Sequence, residues 1–154
     1  MEQYDKDYAS CAGTYNFEIS EPAINSILAK IKPNFKYETI SVLKKDSLEM
    51  DDKDRDLIFD VCNDLKNEKI IITHGTDTMT ETAKRLNSIK GKTIILVGSS
   101  KPEKFKGYDA SFNVGCAIGA LNCKEEGIYI AMNGIIYDWY NCQKQKETGQ
   151  FTCK

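Results

Sequence analysis

The sequence predicts a three-layer α/β fold: a mainly parallel, Rossmann-like sheet with helices on both faces. Three observations predict it. Short β-branched runs at residues 69–73, 93–97 and 127–132 have the length and composition of buried strands. Between them, apolar residues recur at helical spacing. Strand and helix therefore alternate, an order that calls for parallel strands joined by right-handed crossovers. At 154 residues the chain is the size of one domain, and we read residues 1–154 as a single domain.

The elements follow in order. Ser20, Glu21 and Pro22 open a helix, the serine as cap and the proline in the first turn, where its missing N–H costs nothing. Ile24, Ile27, Leu28 and Ile31 supply its apolar positions, and Pro33-Asn34 ends it. Residues 37–43 read as a strand. The run KKDSLEMDDKDRD reads as a solvated loop and a first helical turn, with acids near the positive end of the helix dipole. That helix continues with Leu57, Ile58, Val61, Cys62 and Leu65 on one face. Residues 78–86 form the next helix. Gly98-Ser99-Ser100-Lys101-Pro102 closes the strand at 93–97. Asp109 caps a helix to about Leu121, with Phe112, Cys116, Ala117 and Ala120 inward. The polar tail 143–154 reads as irregular.

Composition excludes several classes of function. A formal net charge of -2 gives no electrostatic grip on nucleic acid or anionic membrane. No apolar run approaches the roughly 20 residues that span a bilayer. The polar start MEQYDKDYAS does not resemble a secretory leader, so a cytoplasmic protein is expected. The six cysteines, at 11, 62, 116, 123, 142 and 153, form no C-x-x-C pair. They read as small buried hydrophobes in a reducing compartment. With His74 the one histidine, no metal site is expected.

In α/β folds ligands sit at the carboxyl ends of the strands. Polar turns follow Thr73, Val97 and Met132 there, and the loop 45–49 should join them. The densest cluster is His74-Gly75-Thr76-Asp77-Thr78. Gly75 lets the backbone turn tightly and approach a ligand. Thr76 and Thr78 offer hydroxyls and Asp77 a carboxylate, beside the free N–H groups of a helix start. Such a set suits a zwitterion: Asp77 would take an ammonium group, the hydroxyl or N–H donors a carboxylate. It also suits plain helix capping, and spacing alone does not separate the two. No G-x-G-x-x-G or P-loop supports a phosphate binder.

The full string HGTDTMTETA resembles the second signature of the asparaginase family. Other segments agree in order. DSLEMDD resembles that family's substrate loop, VGSSKP its VGAMRP turn, and DASFNVGCAIGA the helix after it. YIAMNGIIYDWYNCQK resembles the strand and loop that carry its catalytic lysine. The likeness runs over residues 4–151 and covers the family's N-terminal domain; short single-domain relatives of this type exist.

The resemblance implies hydrolysis of the side-chain amide of L-asparagine, or a related amide, to aspartate and ammonia without metal or cofactor. It places Thr76 as the second of two threonines, in a Thr-Lys-Asp arrangement with Lys144 and Asp77. A lysine held near a carboxylate and partly desolvated can act as a base toward a hydroxyl if its pKa is lowered. Asp77 would also bind the substrate ammonium, Ser47 its α-carboxylate, and Tyr15 lies near the family's lid tyrosine. His74 and Lys101 read as structural. A homo-oligomer, dimer or tetramer, is implied.

One signature departs. The family's T-G-G-T-I carries the usual nucleophile, and aligning Asp5, Lys6, Asp7 and Tyr8 with short relatives puts Gln3 in its place. A glutamine amide is no substitute for an activated hydroxyl. The strand before that signature is central in the family's sheet and has no counterpart here, so exposed strand edges are expected. The competing reading is a non-catalytic descendant that binds an amino acid or a protein partner.

Overall fold

The β-branched runs fold as strands over the bounds expected of them. This computed structural model describes the backbone of residues 6–11 and 14–19, and residues 23–100 and 109–154 with their side chains. In order the elements are β1 (Lys6–Cys11), β2 (Thr14–Ile19), α1 (Ala23–Ile31), α2 (Asp52–Asp64), β3 (Lys69–Thr73), α3 (Met79–Leu86), β4 (Thr93–Val97), α4 (Ala110–Cys123), β5 (Gly127–Met132), β6 (Ile135–Asp138), β7 (Gln143–Lys144) and β8 (Phe151–Thr152).

The main sheet has the order β3-β4-β5-β6. Its first three strands are parallel, with Thr73 level with Val97 and Val97 level with Ala131. Every residue of β4 is buried, as a central strand covered on both faces requires. Its side chains alternate between two cores. Ile94 and Leu96 join Ile72, Ile130 and the α3 residues Met79, Ala83 and Leu86. Ile95 and Val97 join Ala131, Ile27 of α1, and Val114 and Ala117 of α4. Each fully buried aliphatic side chain here stabilises the fold by about 1.5–3 kcal/mol. Helices therefore cover both faces, and the predicted three-layer, mainly parallel arrangement is observed.

Several expectations need correction. Residues 37–43 form no strand; the segment is irregular and Tyr37 and Ile40 are exposed. A strand needs a ladder partner, and among the described residues none pairs with it. Leu57 and Phe112 face outward, as does Ile31; Arg55 and Val114 take inward positions beside the expected Ala117. Asp54 and Arg55 are buried rather than solvated. Asp54 closes a capping box with Asp51 and accepts two bonds from Lys45, at 2.9 and 2.8 Å. Arg55 donates to Met50 O and to Glu81. The tail is not irregular: β7 pairs antiparallel with β8. β6 was not expected either. It returns from β5 through Asn133 (φ 52°) and Gly134 (φ 83°), a two-residue turn needing two left-handed residues. β1 and β2 form an unexpected antiparallel hairpin. Ser20, Pro22, Lys101 and the expected capping of α1 lie outside the described residues.

β3 lies at the edge of this sheet, paired among the described residues with β4 alone. Along its other side runs a cavity of about 550 Å³. Ile70, Leu28, Ile58, Cys62, Val42 and Ile118 line it, so it sits between the two helical layers with the irregular segment opposite. The expected open strand edge is seen there among the described residues, whereas the core residues Leu28, Ile58 and Cys62 beside it stay buried.

Candidate functional site

Level strands bring their following turns to one edge of the sheet. After β3 the chain passes through His74 to Asp77 before α3 begins. His74 is fully enclosed, and its backbone N–H continues the ladder to Val97 O at 2.9 Å. Its Nδ1 lies 2.7 Å from Gly75 O and its Nε2 2.8 Å from Thr82 Oγ1. The carbonyl can only accept, so Nδ1 carries the proton and Nε2 accepts from the Thr82 hydroxyl. Burial pushes the His74 pKa down to about 3, so the ring is neutral. It is a structural pivot for the turn.

The loop 45–50 reaches the same edge. Asp46 caps the short turn Ser47–Glu49, accepting from Leu48 N. The Lys45 ion pair ties the loop to α2 and holds the Asp54 carboxyl below its ordinary pKa. Thr78, at the start of α3, donates its hydroxyl to Ser47 O at 2.8 Å rather than capping the helix. Ser47 is buried against Gly75, where an alanine Cβ would lie 2.4 Å from Ser47 Oγ and 2.6 Å from its Cβ. A tight backbone approach is thus the reason for glycine here. We expect Gly75→Ala to displace Ser47 and cost about 1–3 kcal/mol of stability. Urea unfolding checks this, and a loss under about 0.5 kcal/mol would show that Ser47 is not held as described.

Lys144 arrives from β7. Its Nζ donates to Thr76 Oγ1 at 2.8 Å and to Asp77 Oδ1 at 2.6 Å. Thr76 is buried, while the Asp77 side chain is 41% exposed and that of Lys144 23%, so the trio sits at the mouth of the edge and opens to solvent. The β7–β8 hairpin is held beneath by Tyr137, whose hydroxyl donates to Phe151 O at 2.8 Å. The fold thus brings Ser47, Gly75, Thr76, Asp77 and Lys144 together. Tyr15 lies on β2 opposite Ser10; its side chain is outside the described residues.

Two residues hold the neighbouring turns: Asn113, which sequence reasoning passed over, and Asp109, expected as a helix cap, whose side chain makes no cap bond to α4. Asn113 donates to Gly98 O at 2.9 Å and accepts from Asn133 N at 3.0 Å, tying the turn after β4 to the turn after β5. Asp109 accepts from Ser99 Oγ at 2.5 Å and from Ser100 N. The signal was a buried-phase asparagine within the apolar run of α4. Gly98 packs against the site turn: a Cβ there would meet His74 O at 2.7 Å and Thr76 Cγ2 at 2.9 Å. Among the described residues no three His, Cys, Asp or Glu converge as a metal site, and no helix is long and apolar enough to cross a membrane.

Comparison with known proteins bears on this arrangement. The family described as asparaginase, N-terminal, matches residues 6–152. A glutaminase-asparaginase of Acinetobacter glutaminasificans is 38% identical over 73 residues, 44% of this chain and 22% of that protein. The L-asparaginase 2 of Escherichia coli is 33% identical over 94 residues, 58% of this chain and 27% of that protein. A crystal structure of a probable cytoplasmic L-asparaginase from Campylobacter jejuni superposes with a TM-score of 0.79 at 25% identity, covering 93% of this chain and 47% of that chain. The chain thus spans less than half the length of each.

Proposed function

Because the chain belongs to the asparaginase family through its N-terminal domain, we propose that it is an asparaginase-type amidohydrolase. Its substrate would be the side-chain amide of L-asparagine or a related small amide, giving aspartate and ammonia. The observation that carries this reading is Lys144 Nζ within 2.8 Å of Thr76 Oγ1 and 2.6 Å of Asp77 Oδ1. In the proposed reaction the Thr76 hydroxyl attacks the amide carbon and passes its proton to Lys144, a step that calls for the amine form of that lysine. Lys144 returns the proton to the departing nitrogen, which leaves as ammonia. Water then cleaves the resulting ester. Asp77 would bind the substrate ammonium and Ser47 its carboxylate, with Gly75 leaving room for both and Tyr15 as a lid. We take residues 1–154 as one domain acting in the cytoplasm as a homo-oligomer, with no cofactor.

A second reading is favoured by the edge of β3, which no strand pairs among the described residues, and by Gln3 standing where a nucleophile is expected. In it the chain binds an amino acid without turning it over. One experiment tests both. Ammonia release from L-asparagine and L-glutamine is measured for the chain itself and for Thr76→Ala. A third sample carries an added N-terminal strand ending in T-G-G-T-I. Turnover in the native chain that vanishes with Thr76→Ala supports the first reading. Calorimetric binding of aspartate without turnover supports the second. Absence of binding and turnover in every sample sinks the site. If the added strand pairs with the side of β3 that no described strand pairs, it should raise Tm by at least about 2 °C, read by thermal unfolding. An unchanged Tm would mean the cavity does not take a strand.

A further inference from the structure

The two strands of the β7–β8 hairpin pair Lys144 with Phe151 and Gln143 with Thr152. One further step in this antiparallel register sets Cys142 opposite Cys153. Cys142 has extended backbone, and Gln143 Nε2 donates to Cys153 O at 3.2 Å, so the strands remain side by side there. The bond from Gln145 N to Gln150 O sets the alternation of bonded and non-bonded rows. Counting from it makes Cys142 and Cys153 a non-hydrogen-bonded pair. Such pairs hold their Cα atoms about 4.5 Å apart, inside the roughly 4.4–6.8 Å that a disulfide spans. The structure has no bond between the two sulfurs.

We propose that Cys142 and Cys153 form a reversible thiol–disulfide clamp on the hairpin that carries Lys144. The electrostatics agree with their closeness: burial and then Cys153 oppose ionisation of Cys142, and burial and then both thiols oppose ionisation of Tyr137. The two differ in access: Cys153 is exposed and Cys142 is buried. Cys153 is therefore the entry point for an oxidant, for which glutathione disulfide serves. The Cys153 thiolate attacks that disulfide, forms a mixed disulfide and releases one glutathione. The Cys142 sulfur, losing its proton, then attacks the Cys153 sulfur and releases the second glutathione. Two protein thiols are oxidised and one glutathione disulfide is reduced to two thiols. Burial pushes the Cys142 thiol up to about 12, so the second step is slow at neutral pH and quickens as pH rises.

The clamp closes a short loop around Lys144 and so restricts the hairpin in the unfolded chain as well as in the folded one. Its effect on turnover rests on the proposed amidohydrolase reading; its formation does not. The full chain is equilibrated with glutathione disulfide and glutathione, then mapped by mass spectrometry of unreduced peptides. We expect a link between Cys142 and Cys153 with loss of two hydrogens, reversal by dithiothreitol, and a Tm rise of at least about 2 °C. Cys153→Ser abolishes the link and the rise, while Cys123→Ser keeps both. A stable glutathione adduct at Cys153, a link through any other cysteine, or a link that leaves Tm unchanged would overturn the proposal. Absence of ammonia release in both redox states counts against the amidohydrolase reading and leaves the clamp standing on its mass and Tm.

Discussion

Thr76→Ala is expected to lower ammonia release from L-asparagine by about 10²–10⁴-fold, the scale of losing a positioned proton-transfer group together with its reacting hydroxyl. The reason is geometric. Thr76 Oγ1 has Lys144 Nζ at 2.8 Å, close enough for a proton to pass, and Lys144 is set by Asp77 at 2.6 Å. Thr76→Ser restores part of the rate, because it keeps the hydroxyl and loses only a methyl. Lys144→Met lowers the rate as much as Thr76→Ala, and the double variant is no worse than either single one, since residues that act as a unit are not additive. Asp77→Asn behaves differently. It weakens the hold on the substrate ammonium as well as on Lys144, so KM rises together with the fall in kcat. Steady-state kinetics over these variants reads this pattern. A large loss from Thr76→Ala beside an unchanged rate in Lys144→Met would remove Lys144 from the mechanism.

His74→Ala is expected to destabilise the fold by about 2–5 kcal/mol, as buried large-to-small changes do. It also strands the Thr82 hydroxyl and Gly75 O in a closed interior, each having lost its partner at 2.8 and 2.7 Å. His74→Gln, which can offer both a donor and an acceptor, loses less. A pH signature accompanies the effect. The unfolded imidazole titrates near its ordinary 6.5, the folded one at about 3, because burial opposes the charge. Between those values the unfolded chain binds the extra proton. Stability from His74 is therefore complete above pH 6.5 and falls by up to about 1.4 kcal/mol per pH unit toward pH 3. Carboxylates such as Asp54, whose pKa Lys45 holds low, also lose stability in acid. The difference between the native chain and His74→Gln isolates the histidine. Urea unfolding at about pH 7, 5.5 and 4.5 measures it, and parallel curves for the two proteins would show that the ring is not buried neutral.

Much of this architecture was legible before any coordinates. The strands Lys69–Thr73, Thr93–Val97 and Gly127–Met132 appear at their expected bounds, because a central parallel strand is apolar on both faces and reads as an unbroken run. The turn His74 to Thr78 was visible as a polar cluster closing such a run. Less visible were features that depend on a partner. β6 and the β7–β8 pair are short and polar in places, and a two-residue strand has no periodicity to detect. Asp54 and Arg55 look like surface charges in a charge run. They are buried because Lys45, Met50 O and Glu81 happen to meet them. Residues 37–43 have the composition of a strand but no ladder partner among the described residues.

The alternation of strand and helix, the family likeness and the edge at which polar turns gather were all readable along the chain, because they rest on local composition and on the order of elements. The pairing of Thr76 with Lys144 and Asp77 was implied by the family likeness and not by the residues themselves; its geometry across 68 residues of chain, and the contact of Gly75 with Ser47, came from folding. Those are meetings of distant segments. A hydrogen bond or a close contact is a property of two positions in space, and neither residue's own neighbours in the chain encode it.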